Sequence, residues 1–282
     1  MLLALMLGLS PSIAQSQASD TLNNRRLRTV IITGALSYSV TMIGLNSIWY
    51  SQHGKQSFRF FNDGPEWKQM DKAGHAFSAF HVASIGTHAL QWSGVSKNKS
   101  DKASAITSFA ILSSIEILDG FSSGYGASAS DWAANAFGSG FFLGQQLLWN
   151  EVRIHPKYSF HRTGFAKQRP NILGDGLIEE MIKDYNGQTY WLSADMDKFL
   201  KFPKWLNLAV GYGAENMIYA RDIQNNQLGY RQLYVALDFD LTAIKSRSKV
   251  VNTLLFFANM IKLPAPTIEL AQGRARARFF YY

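Results

Sequence analysis

The chain has 282 residues, 28 Lys and Arg against 20 Asp and Glu, 47% hydrophobic residues and no cysteine. It is too apolar and too lightly charged for disorder to be its main state. The missing cysteine excludes disulfides, zinc–thiolate and iron–sulfur sites, a Cys nucleophile and an acylated lipobox Cys.

The formal net charge of +8 is spread along the chain, with clusters at Arg25, Arg26 and Arg28, at Lys97 and Lys99, and at Arg274, Arg276 and Arg278. None sits in a nucleic-acid motif, so the expected partner is a membrane lipid or another envelope component, not nucleic acid. The sequence singles out no protein partner.

In chain order, residues 1–14 form an apolar run broken by Pro11, followed by the small polar stretch QSQASD. This predicts a secretory signal over 1–18, cleaved after Ala14 or Ala18, although no Lys or Arg precedes Leu2. The alternative is a buried N-terminal helix. A secreted chain without cysteine fits a bacterial envelope, with a periplasm-facing location.

Residues 20–150 predict a membrane-associated bundle of about four apolar helices. Residues 29–50 carry no charged side chain. Residues 73–96 hold His75, His81 and His88 but no Asp, Glu, Lys or Arg. Residues 103–120 are apolar except for Glu116 and Asp119, and 132–150 are again uncharged. Such segments approach the roughly 20 residues needed to cross about 30 Å of hydrocarbon. Their Gly, Ala and Ser residues let backbones approach closely. A soluble bundle of the same helices would leave large apolar faces in water. The loop charges place the N-terminus in the cytoplasm, whereas a cleaved signal places it outside.

Residues 151–282 predict a β-rich region with short helices at 176–185 and 249–262. Leu233, Val235, Leu237, Phe239 and Leu241 alternate with Gln232, Tyr234, Ala236, Asp238 and Asp240, which marks a half-buried strand. Residues 206–213 alternate likewise, 158–165 do so more weakly, and the tail 267–282 alternates Arg274, Arg276 and Arg278 against Ala275, Ala277 and Phe279. The expected fold is therefore α+β: an apolar helical bundle followed by a small antiparallel sheet.

Three places in the helical half can carry chemistry. Asp71 and His75, beside Lys72, are four apart on one helix face, where a carboxylate can orient an imidazole. Glu116 and Asp119 share a face of an apolar helix, and a carboxylate there needs a partner. Ser128 or Ser130 can cap the helix that carries Asp131, and Asp131, Asn135 and Gly138 line one stripe of it. If the three places converge, His75, Glu116, Asp119 and Asp131 are the candidate catalytic residues, able to bind a divalent metal or run acid/base chemistry. The plainer alternative is a buried polar network that fixes helix register. His81 and His88 are seven apart and read as packed side chains. No cofactor and no dedicated metal site is expected, and no GxSxG, HExxH, P-loop or dinucleotide fingerprint is present.

The stretches FFNDGPEWKQMDKAGHAFSAF, QWSGVS and EILDGFSSGYGASASDWAANAFGSG resemble an uncharacterised envelope family described as predicted periplasmic lipoproteins. The later stretches KDYNGQTYWLSA, FPKWLNLAVGYGAENM and IKLPAPTIEL resemble its longer members, so this resemblance covers most of residues 25–282. Over about 45–145, the order DK-x-x-H, a mid-helix Glu and S-x-D-x-x-x-N-x-x-G is also similar to VanZ-like membrane proteins. The resemblance implies Asp71, Lys72, His75, Glu116, Asp119, Ser130, Asp131 and Asn135 as the polar cluster. It implies no reaction, and lipidation does not carry over to a chain without cysteine. The residues fit an uncharacterised, membrane-associated envelope protein with a β-rich interaction region. The alternative is a metal-assisted or acid/base enzyme acting on a lipid or cell-wall precursor.

Overall fold

The computed structural model describes residues 21–50, 53–222 and 228–281, so the expected signal at 1–18 lies outside the described residues. The fold is α+β. Its helices are α1 (Asn24–Leu45), α2 (Met70–Trp92), α3 (Lys97–Gly120), α4 (Ala129–Trp149), α5 (Pro170–Leu173), α6 (Leu177–Lys183) and α7 (Lys249–Ala258). Its strands are β1 (Ile154–Phe160), β2 (Gln188–Ala194), β3 (Leu206–Glu215), β4 (Tyr230–Phe239), β5 (Ala265–Ala271) and β6 (Arg274–Tyr281). The chain divides into two compact units. Of the described residues, one unit takes in those up to Asn62 with Ser78–Glu151 and Lys245–Phe257; the other takes in those within Asp63–Phe77, Val152–Ile244 and Ala258–Tyr282.

In the first unit, Asn23 caps α1 by accepting a 3.0 Å hydrogen bond from the Arg26 N–H. The helix buries none of its residues. Polar links tie it to its neighbours: Tyr38 meets Ser114 of α3 at 2.8 Å, and Arg26 donates to the Trp92 carbonyl at 3.3 Å. Helices α2, α3 and α4 are held together by small and aromatic residues. The Ser108 hydroxyl of α3 donates to the Ala79 carbonyl of α2 at 2.6 Å, a distance that only small residues at the crossing permit. Phe80 of α2 packs edge-on against Phe142 of α4, with ring centroids 5.6 Å apart. Helices α1 and α3 are long and apolar enough to cross a membrane, although a third of the α3 span is buried within the protein.

The second unit is a six-stranded antiparallel meander in which each strand pairs with the next in sequence. Strands β5 and β6 join through Gln272 and Gly273, both at positive φ, the conformation of a two-residue hairpin turn. The outer edge of β1 is partly covered. The Tyr158 N–H donates to the Met260 carbonyl and the Lys262 N–H to the Tyr158 carbonyl, each at 2.9 Å.

Register decides which side chains share a face. Leu192, Val210, Val235, Ile268 and Ala277 form one row across β2 to β6. Lys157, Trp191, Gly211, Tyr234, Glu269 and Arg276 form a row on the opposite face of β1 to β6. The first row is exposed at its four branched aliphatic residues, and the second buries Lys157, Trp191, Tyr234 and Glu269. Along β4 the buried positions are Gln232, Tyr234, Ala236 and Asp238, while Leu233, Val235 and Leu237 are exposed. The expected alternation is present, but its polarity is the reverse of a water-facing sheet, which packs its apolar face inward.

A charge cluster sits on the buried face. Asp238 is fully buried, 2.6 Å from the Lys157 ammonium and 3.8 Å from that of Lys262. The Ser193 hydroxyl donates to Asp238 at 2.6 Å, and Lys157 also donates to Asn259 at 3.0 Å. Lys262 donates to the Leu263 carbonyl at 2.8 Å and lies 5.1 Å from the centre of the Trp191 ring.

Burial pushes the Lys262 ammonium down from 10.5 to about 8, opposed by Asp238 and assisted by Lys157. Between those two values the unfolded chain holds a proton that the folded chain has released, so stability should rise with pH across that window. Below pH about 8 both states are protonated and the full penalty applies. The raised phenols of Tyr234 and Tyr281 work in the opposite direction once an unfolded tyrosine ionises near pH 10. Denaturant midpoints measured from pH 8 to about 10 should therefore climb, and Lys262→Met should flatten the climb. An equal slope in the variant would refute this assignment.

Candidate functional site

The first turn of α2 gathers one group of polar side chains within the second unit. Lys72 lies 2.6 Å from Asp63 and 3.0 Å from Asp71. His75 Nε2 lies 3.8 Å from Asp71 Oδ1, as the i, i+4 spacing requires, and the Tyr185 hydroxyl donates to the same oxygen at 2.9 Å. Burial alone would raise the Asp71 carboxyl. His75, Lys72 and the Tyr185 hydroxyl outweigh it and hold Asp71 below the usual carboxylate range. Asp71 is therefore an anion at neutral pH, placed where it can orient the imidazole.

A second group lies on α3 and α4 within the first unit. Glu116 is nearly excluded from water on α3 and accepts a long 3.4 Å hydrogen bond from the Ser128 N–H. The Ser128 hydroxyl is the N-cap of α4: it accepts from the Asp131 N–H at 3.1 Å and lies 2.9 Å from the Ser130 hydroxyl. Asp131 in that first turn complements the helix dipole. Asp131, Asn135, Gly138, Ser139, Phe142 and Gln145 are the buried stripe of α4, so these polar residues lie on its inward side. Small residues in the stripe leave room for the carboxylate and amide.

Asp119 also lies in the first unit, near the C-terminal end of α3. It accepts a 2.6 Å hydrogen bond from the Tyr50 hydroxyl, and Tyr50 packs edge-on against Tyr125 with centroids 5.9 Å apart. Burial, then Asp119, raises both phenols, that of Tyr125 to about 12. Within the second unit Asp71, Lys72 and His75 lie together; within the first, Glu116, Ser130, Asp131 and Asn135 lie along α3 and α4, and Asp119 bonds Tyr50. His88 is a packed side chain, 4.9 Å from the Phe256 ring, and burial lowers its pKa.

Asp63, Tyr185 and Tyr50 touch the candidate residues and were not singled out by sequence. Tyr185 is 114 residues from Asp71, so no local pattern links them. Asp63 sits in a loop before α2, where an acidic residue carries no positional signal. Ser128 was legible, because Ser followed three residues later by Asp is a cap pattern.

No curated protein and no solved structure matches the chain. A match to a known family covers residues 59–145, which hold every candidate from Asp71 to Asn135 but less than a third of the chain. That segment matches the family described as predicted periplasmic lipoprotein (DUF2279), and the chain is accordingly a cell-envelope protein, membrane-associated and facing the periplasm.

Proposed function

We propose that this envelope protein uses Asp71, Lys72, His75, Glu116, Asp119, Ser130, Asp131 and Asn135 as one polar cluster that keeps an apolar, membrane-associated helical bundle in register. In this reading the β-rich region is its interaction surface. The observation that supports it most is the burial of Glu116 and Asp131 on helices that are otherwise apolar. A carboxylate in such surroundings costs several kcal/mol unless neighbouring groups hold it, so these residues are kept for what they hold together. The VanZ-like resemblance suggests the same grouping of residues.

A second reading, an enzyme acting on a lipid or cell-wall precursor, draws on the Asp71–His75 pair. An imidazole oriented by an anionic carboxylate is equipped for general acid/base work.

Glu116→Ala and His75→Ala in the full chain separate the two. The register reading expects both variants to lower the melting temperature and the amount of protein in the cell, with a loss of about 1–3 kcal/mol for Glu116→Ala. Glu116→Gln should recover part of it. Variants that keep wild-type melting and abundance overturn that reading. A melting temperature raised by a divalent ion in the wild type, and not in Asp131→Asn, would support the second.

A further inference from the structure

The sheet of the second unit presents an apolar face to the outside and a charged one to the inside. We propose that the exposed face carrying Leu192, Val210, Val235 and Ile268 lies in one leaflet of an anionic bilayer. The inference uses the envelope location and is independent of the polar cluster on the helices.

Burial comes first. Isolated exposed aliphatic residues are ordinary on a protein surface, but here they are aligned by strand register into a continuous row across β2 to β5. Leu208 and Leu237 pair with each other beside it, and Leu233 and Leu270 pair on its other flank. All four are exposed. Meanwhile the opposite face consumes Lys157, Asp238, Lys262 and Glu269, each at most 2% exposed. A sheet folding in water gains by exposing those charges and burying the aliphatics. The reverse pattern is favourable where the outside is hydrocarbon, as on the strands of outer-membrane proteins, which alternate apolar-out and polar-in.

The rim is complementary to lipid headgroups. The connection between β2 and β3 exposes Lys198, Lys201 and Lys204 together with Phe199, Leu200 and Trp205. Aromatic and basic residues side by side suit the boundary between hydrocarbon and anionic headgroups. That connection joins the strand ends at which Leu206 pairs with Phe239, and Trp205 stacks on Phe239 with centroids 6.1 Å apart. At the opposite end of β4, Arg231 is exposed next to the band.

The height of the band sets the depth. From Leu233 to Leu237 the strand advances four residues, about 13 Å at 3.3 Å per residue. A bilayer has about 30 Å of hydrocarbon, so the band fits a single leaflet and does not span.

The absence of cysteine in the chain allows the test to be made at single labelled positions. Val235→Cys and, separately, Ile268→Cys in the full chain are labelled with a polarity-sensitive fluorophore. Each is mixed with vesicles of phosphatidylglycerol and phosphatidylethanolamine carrying brominated acyl chains. The expected result is a blue shift, quenching by bromine, and protection from iodide, all much weaker on phosphatidylcholine vesicles. Val210→Asn with Val235→Asn should weaken vesicle partition about tenfold per residue replaced. The proposal is overturned if the labels stay open to iodide while the protein is vesicle-bound, since another surface then makes the contact. It is equally overturned if they are shielded before lipid is added in a concentration-dependent manner, which identifies a second copy as the cover.

Discussion

Replacing Asp238 with alanine should destabilise the second unit by roughly 3–5 kcal/mol, because it strands two buried ammonium groups. Lys157 and Lys262 are both buried, and Asp238 lies 2.6 Å from the first and 3.8 Å from the second. Its Ser193 hydrogen bond would be lost as well. Asp238→Asn keeps an acceptor for Ser193 and should fall between wild type and alanine. Lys157→Met, Asp238→Leu and Lys262→Met combined remove the charges together with their desolvation cost, and should lie close to wild type or above it. A chain of two units does not unfold in one step by default, so a single unfolding free energy is a poor readout. Amide hydrogen exchange on β2 and β4 reads the local loss directly. If the triple variant opens as readily as Asp238→Ala, stranded charge is not the cause and packing is.

The same cluster shows where sequence reasoning reaches its limit. A period of two announces that the faces of β3 and β4 differ, and it does so in Leu206 to Tyr212 and Leu233 to Phe239. It does not say which face is inside. Ordinary burial preferences put Leu233, Val235 and Leu237 in the core, and the structure puts Gln232, Tyr234 and Asp238 there instead. Strand β2 carries no clear alternation because Thr189 and Ser193 flank Trp191 on the buried face, where an apolar run would mark a strand. The tail read as one alternating stretch, because Arg–Ala alternation resumes directly after the Gln272–Gly273 turn that divides β5 from β6. In the helices, local rules went further. The Asp71–His75 spacing and the Ser128 cap are i, i+4 and i, i+3 relations fixed by helix geometry alone. Partners supplied by distant chain, such as Tyr185 for Asp71, depend on tertiary packing that no local pattern encodes.

Trp191→Ala should cost a further large amount, roughly 3–5 kcal/mol, as expected for a fully buried tryptophan. The ring donates to the Ser159 hydroxyl at 2.9 Å and packs 5.5 Å from Tyr234. It lies flat across β3 because Gly211 stands beneath it: a Cβ there would come within 2.6 Å of the Trp191 ring. Gly211→Val should therefore cost about 1–3 kcal/mol by itself, through overpacking against a side chain that cannot retreat. The two defects are opposite in sign, one an absence of volume and the other an excess at the same spot. The double variant Trp191→Ala with Gly211→Val should consequently lose less than the two single losses combined, by about 0.5–3 kcal/mol. Additive losses would mean that Trp191 and Gly211 do not depend on one another. A second signal follows from the Lys262 ammonium, 5.1 Å from the same ring. Removing the indole admits water to that side of the amine, so its pKa should return toward the ordinary lysine value. The rise of stability with pH above 8 should then shrink in Trp191→Ala. Trp191→Phe, which keeps an aromatic face over the amine, should retain most of it.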